Sequence, residues 1–487
     1  MLRTAKVLFL FLPIAFSSLA QKGTHTPYSA FGLGELKMND YASFQSMGGV
    51  GLAGNDSSII NHINPASYVN FGRNRPILQI GLNGRLSRFE TSTQSTDQRH
   101  FGFNQLQLGI PIKKRWGAAV GIKPYSFTGY QISNYIIEDG DSTQLYTNEG
   151  SGGITNAYIG LAYRPVQHAF TKKRYTHYKD STGLKYRDSV NIQYENHLSL
   201  GGNANYLFGS SNRIRTYQYW SSSQGLNSKV RNSLRFSDFI FDIGLSYQFS
   251  WKVNKPGSEK SKNTISIGAT YSPAISVRAF QDVYSYSYIT LGGGFNGPEL
   301  VSDTIEYVSD NKGSVRIPES YKIGLEYRLG PKGVSNSSIF RIATDFHYQK
   351  WSDYNEDFGG TFTHQLKDRM RMAVGLEWTP SSIHGTRTPF MSKIRYRLGF
   401  NYTMIEKRIL NNIDNYTDLT SYGMSFGVGI PITIIQLSNT NINFGANLGK
   451  LGTTENGLIQ EKYVGLFVGI SITPGSGNLW FLKRKYD

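Results

Sequence analysis

Gly49, Gly51 and Gly54 stand at the GxGxxG spacing that cradles a pyrophosphate where a strand turns into a helix. That use needs a preceding strand and a surrounding βαβ unit, and residues 49–54 have neither. Ser425 lies between Gly423 and Gly427, the GxSxG spacing of a nucleophile elbow, which requires a sharp strand-to-helix turn. Here Tyr422, Met424, Phe426, Val428 and Ile430 form one apolar stripe through the motif, so Ser425 reads as the polar face of an uninterrupted strand. Asp345 and His347 are two residues apart and would share one strand face. Such a pair can serve hydrolysis, but an interior hydrogen-bond network is its commoner use. The nine histidines never fall at an HxxxH spacing, and with no cysteine the sequence offers no recognisable structural zinc pattern. The reading is a protein that does no covalent chemistry: no catalytic residue, no metal and no cofactor.

What these residues need, in place of an active-site scaffold, is a wall with two faces. In 239–249, Phe239, Phe241, Ile243, Leu245, Tyr247 and Phe249 occupy one face, with Asp242, Gly244, Ser246 and Gln248 on the other. In 463–472, Val464, Leu466, Val468, Ile470 and Ile472 oppose Tyr463, Gly465, Phe467, Gly469 and Ser471. Runs of this kind recur near 77–89, 101–112, 116–132, 154–165, 197–208, 236–250 and 264–279. They continue near 319–329, 338–350, 368–380, 391–406, 419–432, 441–449 and 462–473. About fourteen strands of roughly ten residues fit a transmembrane antiparallel β-barrel, whose strands cross a bilayer at a tilt. Strands of a soluble sandwich run about half that length. Short connections at 111–116 and 431–441 read as periplasmic turns. Long polar ones at 166–196, 209–235, 280–318 and 351–367 read as extracellular loops.

If the apolar stripes face lipid, the opposite faces describe a lumen, and toward the C-terminal half that lumen is charged. Lys322, Glu326, Arg328, Arg341, Asp345, Arg369, Arg371, Glu377, Lys393, Arg395 and Arg397 would each cost a few kcal/mol on the lipid side near the midplane. Arginine exceeds carboxylate among them. Some pair to brace the wall, and Arg371, Arg395 and Arg397 are the candidates for binding an anionic head group.

Composition agrees with this class. Tyr (32) and Phe (28) are abundant, as the aromatic girdles of a barrel require. Mean hydropathy is only −0.36, and no apolar run after the first twenty residues is long enough for a helical span. Those first residues read as a secretion signal: Arg3 and Lys6, an apolar core over 7–16, and Ser18-Leu19-Ala20 before a cut at Ala20/Gln21. Removing it lowers the net charge from +17 to +15. For an exported chain that charge points to membrane lipids and lipopolysaccharide or acidic proteins, and not to nucleic acid. The expected organisation is signal 1–20, an N-terminal hatch 21–72, the barrel 73–474 and a basic tail 475–487.

Two local features refine the picture. Lys123-Pro124-Tyr125 interrupts the third strand, and proline inside a closed sheet implies a kink or gap. Ahead of the first strand, Gly48, Gly49, Gly51 and Gly54 allow close backbone approach. Asn55 and Asp56 offer N-cap oxygens, and Pro65 is expected to end a short helix.

This order of features resembles the FadL family of outer-membrane transporters for long-chain fatty acids and aromatic hydrocarbons. The glycine-rich turn, Asn64-Pro65-Ala66, the interrupted third strand and the strand count all take part in the likeness. "PYSFTGY" at 124–130, "GSGGITNAYIGLAY" at 150–163, "RIPESYKIGLEYRL" at 316–329 and "GKLGTTENGLIQEKY" at 449–463 look like the branch found in Bacteroidetes-type bacteria. The resemblance implies a hatch, carrying Asn64, Pro65, Ala66, Gly49 and Gly51, that blocks the barrel. It further implies a lateral opening at Lys123, Pro124 and Tyr125, and passive uptake of hydrophobic or amphipathic small molecules across the cell outer membrane. Both chain termini would lie on the periplasmic side. Relatives in such bacteria also serve the type IX protein secretion machinery as shuttle or accessory barrels, so secretion-system subunits are a second class of partner.

Overall fold

The computed structural model describes residues 23–37, 41–72, 75–138, 141–179, 185–220, 225–254, 261–292, 294–332, 338–359, 361–362, 366–381, 389–410, 416–432 and 439–473. The expected signal 1–20 and tail 475–487 lie outside them. The strands are β1 (Glu35–Leu36), β2 (Ile77–Glu90), β3 (Ser95–Lys113), β4 (Trp116–Phe127), β5 (Tyr130–Glu138), β6 (Asp141–Lys179) and β7 (Lys185–Tyr219). Next come β8 (Asn227–Asn254), β9 (Ser261–Ser272), β10 (Ile275–Thr290), β11 (Glu299–Ile317), β12 (Ser320–Lys332) and β13 (Ile339–Gln349). The rest are β14 (Asn355–Asp357), β15 (Thr361–Phe362), β16 (Arg369–Thr379), β17 (Arg395–Leu410), β18 (Tyr416–Ile432), β19 (Asn439–Leu451) and β20 (Gln460–Thr473).

Antiparallel pairing runs β2–β3–β4–β6–β7–β8–β9–β12–β13–β16–β17–β18–β19–β20. It closes where β20 meets β2, from Leu78 opposite Ile472 to Glu90 opposite Gln460. The result is a closed barrel of fourteen strands. Closure removes the exposed edges that an open sheet of this size would present.

The two-residue alternation sorts the faces as the sequence required. Ile159 (65 % exposed), Ile243 (58 %) and Leu466 (57 %) point outward, while Gln79, Asp345 and Phe467 are buried within. A water-soluble surface does not carry an apolar belt of this extent. Near the end that holds the β3–β4 turn, aromatic pairs ring the outside: Trp116–Tyr163 (centroids 4.5 Å apart), Trp251–Tyr327 (6.4 Å) and Trp378–Tyr396 (5.7 Å). Amphipathic rings collect at that height because a bilayer interface wets one side of them and not the other.

The connections differ from expectation in two ways. The segments 209–235 and 280–318 are largely strand, not loop. β7 and β8 stay paired to Tyr217 opposite Ser228, and β10 and β11 stay paired to Thr290 opposite Glu299. Along β11 successive residues from 299 to 307 are exposed, and on β7, β8 and β10 the buried positions mix Ser211, Thr216 and Asn227 with Leu234, Tyr286 and Tyr288, so the apolar alternation of the wall is lost although the backbone ladder continues. Residues 166–179 and 185–196 are also paired as a ribbon, from Val166 opposite Leu198 to Lys179 opposite Lys185. It projects from the end that carries the β3–β4 turn, opposite to the ribbons of β10 and β11. An even number of strand crossings separates it from that turn, which puts both at one end.

Candidate functional site

Residues 41–72 lie inside the cylinder. Their entry is α1 (Ala42–Gln45), and they end in a 3-10 turn, Pro65–Asn70. Asn64 caps that turn: its side chain accepts from the Ala66 N–H at 3.1 Å and donates to the carbonyls of Leu52 (2.8 Å) and Leu245 (2.9 Å). Pro65 therefore begins a helical turn instead of ending one. Its fixed φ and missing N–H suit the first helical position, and it holds Asn64 extended at φ −129°. Asn55 and Asp56 cap no helix, although Asp56 accepts from the Ser58 N–H at 2.9 Å. Replacing Asn64 by Ala removes three bonds made in a buried place. It should lower the thermal stability of the barrel's inner packing by about 1–2 kcal/mol, read as a shift in protease sensitivity of residues 41–72.

The wall meets this segment with glycine. A Cβ built on Gly268 would overlap the Leu52 carbonyl, one on Gly399 the backbone of Met47 and Gly48, and one on Gly117 the Tyr68 carbonyl. Gly201 and Gly244 make the same close approach to Pro65, and Gly375 to Met47. These glycines sit in the inward phase of successive strands, so they form a seat around much of the circumference. Within the segment, Gly48 at φ +73° and Gly49 at φ +81° occupy the left-handed region that glycine tolerates best. Gly51 approaches Ile63 and Phe44 of the same segment, not the wall.

Polar groups lock the seat. Asp345 accepts from the backbone N–H groups of Gly51 (2.7 Å) and Leu52 (3.0 Å), and Ser425 accepts from the Gly48 N–H (2.8 Å). Arg371 donates to the Gly48 carbonyl. Arg395 pairs with Asp56 at 2.6 Å. Arg397 is turned to Glu377 (2.6 Å) and Asn443 (2.7 Å), and Asn443 donates to the Tyr41 hydroxyl (3.2 Å). All three expected head-group ligands are engaged in the seat or its support, and Arg371 in addition lines the two inner cavities. Burial works to raise the Asp56 carboxyl, but Arg395 and the Ser58 hydrogen bonds outweigh it and hold the group well below the usual carboxylate range. That contribution is present above the ordinary carboxylate pKa and lost only as pH falls through the lowered one. The seat should therefore stay closed in a conductance assay down to about pH 4.

The third strand parts from its neighbour. β4 pairs with β3 only as far as Ile122 opposite Leu106, while its pairing with β6 continues through Pro124 to Phe127. Pro124 has no N–H to donate, and the ladder with β3 stops just before it. A bulge at Tyr125 follows. Beyond Ile122, the wall between β3 and β4 is unzipped. The freed edge is occupied from inside by β1, with Glu35 opposite Phe127, Leu36 opposite Ser126, and the Lys37 N–H on the Tyr125 carbonyl at 3.0 Å. The sequence pointed to Lys123, Pro124 and Tyr125, but not to the two-residue strand that covers them.

Three spaces surround this place. A cavity of about 220 Å³ touches Tyr28, Leu36, Lys37, His100, Arg369 and Arg371. A second, of about 200 Å³, lies beyond Leu36 and Lys37 against Lys123, Pro124, Tyr125 and Arg371. Pro273 and Pro318, at the β9–β10 and β11–β12 breaks, line it as well; the sequence had singled out only Pro124. A wider mouth of about 840 Å³, lined by Tyr28, Phe31, Tyr130, Phe358 and Leu458 with Arg213 and Arg215, opens at the far end. Tyr28 borders both the mouth and the first inner cavity.

The BamG family model matches residues 1–171 and 169–487. This chain belongs to the BamG family. No curated protein matches this BamG-family chain. Among solved structures it is similar to the CymD monoaromatic hydrocarbon channel, at 12% identity over 91% of this chain and 98% of that one, with a TM-score of 0.41. The Pseudomonas putida toluene transporter TodX matches at 14% identity over 90% and 99%, TM-score 0.41. A Pseudomonas aeruginosa FadL homologue matches at 10% identity over 90% and 98%, TM-score 0.42.

Proposed function

We propose that this chain is an outer-membrane channel of FadL type for passive uptake of hydrophobic or amphipathic small molecules, and that residues 23–72 are its hatch. The observation that carries the reading is the conjunction of a seated segment across the lumen with an unzipped wall beside it. Water-soluble solutes find the bore blocked. A molecule that prefers lipid can enter the aromatic mouth, pass Tyr28 into the first inner cavity, and leave between β3 and β4 once β1 moves aside. An anionic head group is assigned to Arg371, which lines both inner cavities while donating to the Gly48 carbonyl. In this orientation the ribbons of β10 and β11 face outward from the cell, and both ends of the barrel chain face the periplasm.

The absence of cysteine gives a direct test. Leu36 and Ser126 are directly opposite in the β1–β4 ladder, within disulfide reach. Leu36→Cys/Ser126→Cys, oxidised, should stop uptake of a labelled long-chain fatty acid or toluene, and reduction should restore it. Unchanged uptake in the fully oxidised protein would refute lateral release.

The ribbon at 166–196 favours a second reading, as an accessory barrel for protein secretion. It carries Lys172, Lys173 and Arg174 beyond the barrel rim at the end assigned to the periplasm. Co-purification of secretion subunits that depends on this ribbon would support it.

A further inference from the structure

The outer wall carries charge where its ladder should least tolerate it. On the outward faces of β19, β20 and β2, Lys450 stands directly opposite Lys462, and Lys462 directly opposite Arg88. Like charges facing each other across a ladder are destabilising. Arg99 on β3 sits one row below, opposite Leu86. Two carboxylates answer these four cations: Glu90 pairs with Lys462 (2.6 Å) and Arg88 (3.3 Å), and Asp97 lies 3.9 Å from Arg88. Among the described residues, neither Lys450 nor Arg99 has a carboxylate within ion-pair distance.

Beneath this row an outward groove of about 1140 Å³ is lined by Leu86, Leu448 and Val464 of the same strands together with Phe400 of β17 and Met424 and Phe426 of β18. The cations close it at the end where the apolar belt gives way to water. Adjacent strands lie about 4.8 Å apart, so the row from β19 to β3 spans roughly 15 Å. A head group filling that span must be anionic and extended, and its tails must lie along the wall. Ammonium and guanidinium groups bind phosphate through charge-assisted hydrogen bonds, which resolves the repulsion that the ladder alone leaves.

We propose that Lys450, Lys462, Arg88 and Arg99, with the groove below them, form a specific site for a phosphate-bearing, several-chained membrane lipid. The site rests on the reading of the barrel as membrane-embedded and is independent of what crosses the lumen. It is fixed to one sector of the wall, β17 to β3, and differs in that from general attraction to an anionic surface.

Intact-protein mass spectrometry on the delipidated full chain tests it, with lipid A, enzymatically dephosphorylated lipid A and phosphatidylethanolamine as probes. The expected result is one lipid A retained at concentrations at least about tenfold lower than either other probe needs. Lys450→Gln/Lys462→Gln should abolish that preference, and Lys450→Arg/Lys462→Arg should keep it, with heat-modifiable gel mobility showing each variant folded. Equal retention of phosphorylated and dephosphorylated lipid, or an unchanged preference in the glutamine variant, overturns the site. A full chain that stays dispersed in buffer without detergent would instead overturn the membrane reading beneath it.

Discussion

Gly399→Val is expected to convert a closed barrel into a conducting one. The side chain would be built into the backbone of Met47 and Gly48, where a neighbouring rotamer cannot yield, so one of the two structures must move. The wall strand is held on both sides, by β16 and β18, whereas the N-terminal segment is held by its seat alone. The segment therefore shifts. In planar bilayers the intact chain should show negligible conductance, and Gly399→Val or Gly268→Val should show stepwise openings at least about tenfold more frequent. A barrel of this strand number is close to the size at which an unfilled lumen becomes an aqueous channel. Gly457→Val, at a far-end turn where no atom lies within 4 Å of the added Cβ, strains only its own backbone and should leave conductance unchanged.

Asp345→Ala should produce a comparable opening by removing attraction instead of adding bulk. Its carboxylate takes the backbone N–H groups of both Gly51 and Leu52 in a buried place. Each hydrogen bond to a charged group contributes about 1.5–3 kcal/mol, so their loss should weaken the seat by about 3 kcal/mol or more. That corresponds to a shift of roughly 100-fold in the ratio of seated to unseated segment. Limited proteolysis should then cut residues 41–72 in the variant at rates the intact chain does not show. Asp345→Asn keeps one acceptor oxygen and should lie between the two. A hydrolytic role for Asp345 with His347 would instead predict lost lipid hydrolysis and an unchanged seat.

Much of this was legible because a barrel in lipid writes its two environments into every strand. The stripe from Phe239 to Phe249 and the one from Val464 to Ile472 need no other explanation. The signal disappears where both faces are wet, as along 299–307, and where the buried face is polar, as at Ser211 and Thr216, and there paired ribbons read as loops. The end at which 166–196 projects was available from counting strand crossings, yet its length and polarity pointed the other way. Asn64-Pro65 was recognised, but its sense was inverted, because proline can stop one helix or start the next and only the cap geometry decides. The glycine seat left a trace that went unread: Gly117, Gly160, Gly201, Gly244 and Gly268 fall in the inward phase of successive strands. The β1 patch over the open wall left none, since two residues carry no periodicity.

The most direct test compares two solutes through one preparation of the intact chain in lipid vesicles. A small sugar and a labelled long-chain fatty acid are presented together, and the entry of each is followed. Fatty acid entry well above protein-free vesicles with sugar excluded is the predicted result. Sugar entry at the rate of an open pore, or no acceleration of either solute, would contradict a blocked bore with an exit through its wall.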